Sequence, residues 1–204
     1  MSLKLKLLLS ALTGIGLGLA IAGVHWFTQA RRANADLPIY ATLPEFQLVE
    51  RNGSAVSLAD LKGKVWVADF VFTHCAGPCP LLSSKMSRLQ DAVQDLDGVQ
   101  LVSFTVDPER DTPEVLTEYA RRYRADPERW LFLTGPKEPL YRLVGEGFLL
   151  AVDDGALAGG LITHSTRLAL VDQHGRIRAY YDGAEPGTID ELLPGIRTLL
   201  AEGG

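Results

Sequence analysis

The stretch from Val65 to Met86, VWVADFVFTHCAGPCPLLSSKM, constrains the fold of this chain more than any other. An almost continuous apolar run, rich in β-branched and aromatic residues, covers Val65 to Phe72 and predicts a strand buried on both faces. It leads directly to Cys75 and Cys79, the two cysteines of the 204-residue chain. From Pro80 onward Leu82, Met86, Leu89, Val93 and Leu96 recur at helical spacing, with Ser, Lys, Arg and Gln between them. Strand, turn and helix therefore meet at the thiols. Two cysteines are too few for a disulfide scaffold, and a 204-residue chain that is 47% hydrophobic needs no covalent staple. Their chemistry has to explain them.

A thiolate near a helix N-terminus meets the positive end of the helix dipole and unpaired backbone amides. Cys79, immediately before Pro80, is placed for that effect. Gly77-Pro78 bends the intervening chain, so both sulfurs can face one point, as a disulfide or as soft ligands for Cu(I) or zinc. A thiolate pair needs at least one more ligand, and the four histidines are the candidates. His25 lies at the edge of an apolar N-terminal run and reads as an interfacial residue. His74 adjoins Cys75 and is expected to point to the opposite face. His174 sits in the turn Asp172–Gly175. His164 follows the glycine-containing loop Ala156–Gly160 and opens a strand ending at Val171; ligand and structural roles both stay open for it. Asp107, before Pro108, reads either as a turn and helix-start residue or as a group orienting the site from a neighbouring strand end. Tyr180 and Tyr181 read as core and rim of the last strand rather than as redox residues.

The remaining pattern sets the architecture. Glu45–Glu50 alternates and breaks at Asn52-Gly53, a hairpin signal, before a short strand at Ala55–Ser57. Val99–Val106 predicts a second buried strand, and Thr112-Pro113 a helix start. A short strand is expected at Trp130–Leu133 and a short helix at Pro136–Gly145. Strands are expected next at Leu149–Val152, Arg167–Val171 and Ile177–Tyr181, and a closing helix at Thr188–Ala201, disturbed by Pro194-Gly195. Strands alternating with helices argue an α/β fold, a central sheet covered on both faces. Sites in such sheets gather at the carboxyl ends of strands, where the cysteines stand.

Ahead of this domain, Leu7 to Val24 is uncharged and almost wholly apolar, flanked by Lys4 and Lys6 and by Arg31 and Arg32. A bilayer core takes about 20 helical residues, so residues 1–29 read as a single transmembrane anchor. A long signal peptide cut after Ala33-Asn34-Ala35 is the other reading. Residues 30–44, with Pro38 and Pro44, read as linker, and 45–204 as the folded domain. That domain is then expected on the outer side of a cell membrane, where thiols become disulfides unless reduced or metal-bound. A net charge of −5 leaves no basic footprint for nucleic acid.

Phe72-Thr73-His74-Cys75 through Cys79-Pro80, Lys85-Met86, the segment Val106–Pro113 (VDPERDTP), and His164 ahead of its strand and the Asp172–Gly175 turn together resemble the Sco/SenC family. The resemblance covers about residues 41 to 202. It implies a thioredoxin-like three-layer sandwich with an added N-terminal β-hairpin, preceded by one transmembrane helix. It further implies copper held by Cys75, Cys79 and His164, in a metallochaperone for cytochrome c oxidase assembly. The implied partners are the copper-bearing oxidase subunit, other copper chaperones and thiol reductants. Many members carry an acidic and an aliphatic residue between the cysteines, where this chain has Ala76-Gly77-Pro78, and Asp before the His, where Thr163 stands. The pocket is therefore expected to be less anionic. A thiol–disulfide oxidoreductase using Cys75 and Cys79 as its redox pair is the competing reading. A peroxidase lacks a recognisable Thr and Arg set, and a zinc enzyme lacks an obvious base.

Overall fold

A computed structural model describes residues 37–75, 77–150 and 166–203. In chain order the elements are β1 (Ala41–Thr42), β2 (Gln47–Glu50), β3 (Ala55–Ser57), α1 (Leu58–Leu61), β4 (Val65–Val71), α2 (Cys79–Ala92), β5 (Val99–Thr105), α3 (Pro113–Arg122), β6 (Trp130–Thr134), α4 (Lys137–Arg142) with a π turn (Leu143–Gly147), β7 (Arg167–Val171), β8 (Arg176–Asp182) and α5 (Thr188–Glu202). They form one eight-stranded sheet in the order β1-β8-β7-β4-β5-β6-β2-β3. The predicted anchor, residues 1–29, lies outside the described residues. Among the described residues no helix is long and apolar enough to cross a membrane.

The apolar run of β4 divides between two cores, as strand periodicity requires. Trp66, Ala68 and Phe70 pack toward α1, α4 and the π turn, against Leu58, Leu61, Leu140 and Phe148. Val65, Val67 and Val71 pack toward α2, α3 and α5, against Leu82, Met86, Leu116 and Ile196. Full burial of such a side chain contributes roughly 1.5–3 kcal/mol. The result is a mixed α/β, three-layer arrangement, with helices on both faces of a sheet whose centre is buried twice over.

β4 and β5 run parallel in register, Phe70 opposite Phe104 and Val71 opposite Thr105. Their carboxyl ends therefore come out side by side, beneath the start of α2. That is where the thiols lie.

Two local differences from the sequence pattern have physical causes. The strand expected at Leu149–Val152 is absent at its described residues. The Leu150 amide instead donates to the Val144 carbonyl at 3.2 Å, and Leu149 adopts a left-handed φ of +54°. Hydrophobic Phe148 and Leu150 are buried by ending the π turn rather than by forming a strand. Ala151 and Val152 lie outside the described residues. Leu37–Leu43, within the stretch whose prolines read as linker, is tied to the sheet. The Tyr40 amide donates to the Ile177 carbonyl at 2.9 Å, as does Leu43 to Gly175. The Arg178 guanidinium, paired with Asp172 at 3.1 Å and Glu202 at 2.7 Å, holds the Leu37 carbonyl through Nε at 2.9 Å. The closing helix is found where expected: α5 starts at Thr188, carries Pro194 inside it and runs on to Glu202.

Candidate functional site

β4 stops at Val71, and the next residues form a turn in which the Cys75 amide donates to the Phe72 carbonyl at 3.2 Å. Cys79 is the first residue of α2, with Pro78 as N-cap and Pro80 in the first turn, where a missing amide forfeits no helical bond. Both cysteines are free thiols, Cys75 half-buried and Cys79 only 4% exposed. The two side chains are close enough to couple electrostatically, and the Phe72 backbone favours a negative Cys79 sulfur. The Gly77 amide donates to Cys75 Sγ at 3.3 Å. The turn thus converges the sulfurs as the Gly77-Pro78 bend predicts.

Their electrostatics differ from the sequence expectation. Position at a helix N-terminus predicts a stabilised Cys79 thiolate. Burial instead pushes the Cys79 thiol from 9.0 up to about 12; the Phe72 backbone pulls the other way, while Cys75 and Asp69 both oppose a negative sulfur. Desolvation outweighs the dipole here. Cys79 therefore rests as a protonated thiol, and Cys75 is the more solvent-accessible sulfur.

Two carboxyl groups bear on the site, and the sequence pattern assigns neither. Asp69 is fully buried on the α2 face of β4, and burial raises its carboxyl to about 7. Ser103 Oγ donates to Asp69 Oδ1 at 2.5 Å and in turn accepts from Trp130 Nε1 at 2.8 Å. Asp69 Oδ2 has no hydrogen-bond partner among the described residues. Its signal was the one acidic letter inside VWVADFV, easily absorbed into an apolar run. Asp111, also fully buried, sits one residue before the N-cap of α3. It accepts from Thr73 Oγ1 at 2.6 Å, from the Thr73 amide at 3.2 and 3.3 Å, and from Thr105 Oγ1 at 2.5 Å.

Asp107 is placed differently. Its carboxylate pairs with the exposed Arg110 at 3.1 Å, while its carbonyl accepts the Arg110 and Asp111 amides. Its amide donates to Thr105 Oγ1 at 3.0 Å, so it touches the network around Asp111 through backbone alone. His74 is exposed, with Nδ1 3.0 Å from Thr73 Oγ1, beside a cleft of about 360 Å³ lined by Thr73, Val115, Glu118, Tyr119 and Arg122. His174 stays in its turn, its amide donating to Asp172 Oδ1 at 2.9 Å. Tyr180 and Tyr181 are half-buried on β8, and Tyr180 Oη donates to the Phe148 carbonyl at 2.8 Å. His164 lies outside the described residues, as does His25. No cluster of three or more metal-ligating side chains occurs among the described residues. The structure thus brings Cys75 and Cys79 together and leaves the third ligand as a sequence expectation.

Comparison with known proteins bears on the family and the fold. The family model described as SCO1/SenC matches residues 36–201. The SCO1 protein homolog of Bacillus subtilis is 30% identical over 163 residues, covering 79% of this chain and 84% of the relative. The structure of BsSco, described as a cytochrome c oxidase assembly protein of the Sco family with a disulfide switch, superposes with a TM-score of 0.71. It shares 30% identity, over 81% of this chain and 96% of that one. Bradyrhizobium japonicum ScoI with copper bound gives a TM-score of 0.65 at 27% identity, over 78% of this chain and all (100%) of that one. The mixed α/β sheet described above is their thioredoxin-like fold.

Proposed function

Because the chain belongs to the SCO1/SenC family, we propose that it carries copper as cargo on Cys75 and Cys79, with His164 as third ligand, and delivers it in cytochrome c oxidase assembly. The observation behind this reading is the convergence of two free thiols at the end of a buried strand. Thiolate sulfur suits Cu(I), and the copper-bound relative shares this fold.

The site also states its loading conditions. A Cys75–Cys79 disulfide offers no thiolates, so it must first take up two electrons and two protons from a dithiol reductant. The metal must then displace the proton that burial keeps on Cys79. Uptake therefore releases protons, and affinity falls as pH falls. Transfer proceeds by exchange onto the partner's thiolates, entering through the accessible Cys75. Residues 1–29 are the proposed anchor, holding the domain on the outer side of the membrane that bears the oxidase.

The test uses the full chain in detergent, reduced under anaerobic conditions and titrated with Cu(I). One tightly held ion is expected, lost in Cys75→Ser and in Cys79→Ser and weakened or spectrally altered in His164→Ala. An unchanged affinity and spectrum in His164→Ala removes that residue from the site. Failure of the parent protein to retain copper overturns the carrier reading.

A thiol–disulfide oxidoreductase acting on the oxidase's copper-site cysteines is the second reading. The pairing of an accessible Cys75 with a shielded Cys79 favours it. Assembly of the oxidase in cells separates the two: His164→Ala abolishes it for a carrier and spares it for a reductase, whereas Cys79→Ser abolishes it for both.

A further inference from the structure

The thiols hang from a very short piece of chain. Phe72 is the residue both depend on: its carbonyl accepts the Cys75 amide at 3.2 Å, and its backbone is near enough to favour a negative Cys79 sulfur. Phe72 has already left β4, so the sheet ladder no longer holds the residues after it. Beyond it lie exposed His74 and exposed Gly77. A turn of that kind, left to itself, samples many conformations. Thr73 is the exception. Its hydroxyl and its amide both donate to one buried carboxylate, Asp111, which also accepts from Thr105 at the end of β5. Asp111 is itself held by its amide, which donates to the Asp107 carbonyl at 2.9 Å. The end of β5, the start of α3 and the thiol turn are thereby pinned to one side chain.

We infer that Asp111 is a positioning residue for the thiol pair: through Thr73 it fixes the Phe72–Cys75 segment and so sets how readily the two sulfurs close on each other. The inference deepens the thiol-site reading given above, and it does not need copper to be tested. Two groups held in contact react at a high effective concentration; freeing one of them lowers it. A loosened turn therefore disfavours the disulfide. The couple is Cys75–S–S–Cys79 plus two electrons and two protons giving two thiols, the electrons coming from dithiothreitol as it closes to its cyclic disulfide.

The experiment equilibrates the metal-free full chain in dithiothreitol redox buffers and traps free thiols at each ratio. Thr73→Val removes the hydroxyl and leaves the carboxylate; Asp111→Asn removes the charge and one acceptor; Thr73→Ser keeps the hydroxyl. Thr73→Val and Asp111→Asn are expected to shift the equilibrium toward the dithiol by about tenfold, about 30 mV in midpoint for a two-electron couple. Thr73→Ser is expected to stay at the parent value. A purely structural carboxylate would instead lower the melting temperature of Asp111→Asn while leaving the midpoint of Thr73→Val unchanged, and that result overturns the inference. Adding Cu(I) to the same samples reads the carrier proposal separately. A shifted midpoint in a protein that holds no copper leaves Asp111 positioned as stated and removes only the cargo.

Discussion

An ionisable group inside a strand with no exposed residue has to be neutral or paired, and Asp69 is neutral over much of the accessible pH range. Its carboxyl titrates at about 7 against 3.8 when unfolded, because burial disfavours the anion more than the Ser103 hydrogen bond favours it. Between those values the folded chain binds the extra proton, so stability is full below about pH 4 and falls as pH rises through 7. The slope for one proton is about 1.4 kcal/mol per pH unit. Asp69→Asn should remove that slope, matching the parent near pH 4 and exceeding it in stability at pH 8. Denaturant midpoints across the range check this, and parallel profiles for the two proteins would sink it. At this scale the sequence was only half legible. Cys75 and Cys79 were singled out by the turn between them, but the burial that protonates Cys79 depends on elements distant in the chain. Asp111 stood in plain view within VDPERDTP, and only the parallel register of β4 and β5 shows what it holds.

Whole elements were read more successfully where burial and periodicity agree. The two buried strands ended within a residue of their expected bounds, and the helix after the cysteines took the predicted face. The misreading at Leu149 came from a run whose apolar residues serve a helix ending, which looks identical to a strand in a short window. One contact between elements is set by a missing side chain. Gly183 comes directly after β8, its amide donating to the Thr166 carbonyl at 2.7 Å, and a Cβ there would lie 2.8 Å from that oxygen and collide with Leu82. Leu82 belongs to α2, which opens with Cys79. Gly183→Ala should therefore cost about 1–3 kcal/mol, as overpacking does, and disturb the helix that bears the thiol. A denaturant midpoint equal to the parent's would show that the strand end yields without resistance.

For the molecule as a whole, α/β class and three layers were readable from the alternation of strands and helices. The order of the strands was not. β2 and β3 form the expected hairpin, yet nothing local in the sequence says that it docks on β6, with Val49 opposite Thr134. Nor does it say that Ala41–Thr42 closes the far side against β8, with Ala41 opposite Ile177. Such pairings are non-local and leave no period to read. The family resemblance, placed at about residues 41 to 202, names the fold without giving these pairings, and the matched region is 36–201.

The two outermost strands are two and three residues long. A sheet that stops so abruptly offers almost no open ladder for a neighbour to copy, which blunts the self-templating hazard of exposed strand edges. The protection is unequal, because the two-residue β1 covers only Arg176 and Ile177, the first residues of the seven-residue β8. Deleting residues 40–42 should uncover the start of that strand, extend its open edge to the full length of β8 and promote association with rising concentration. Light scattering of the deleted chain checks this, and a size that stays constant with concentration would mean that β8 is blunted by something other than its short neighbour.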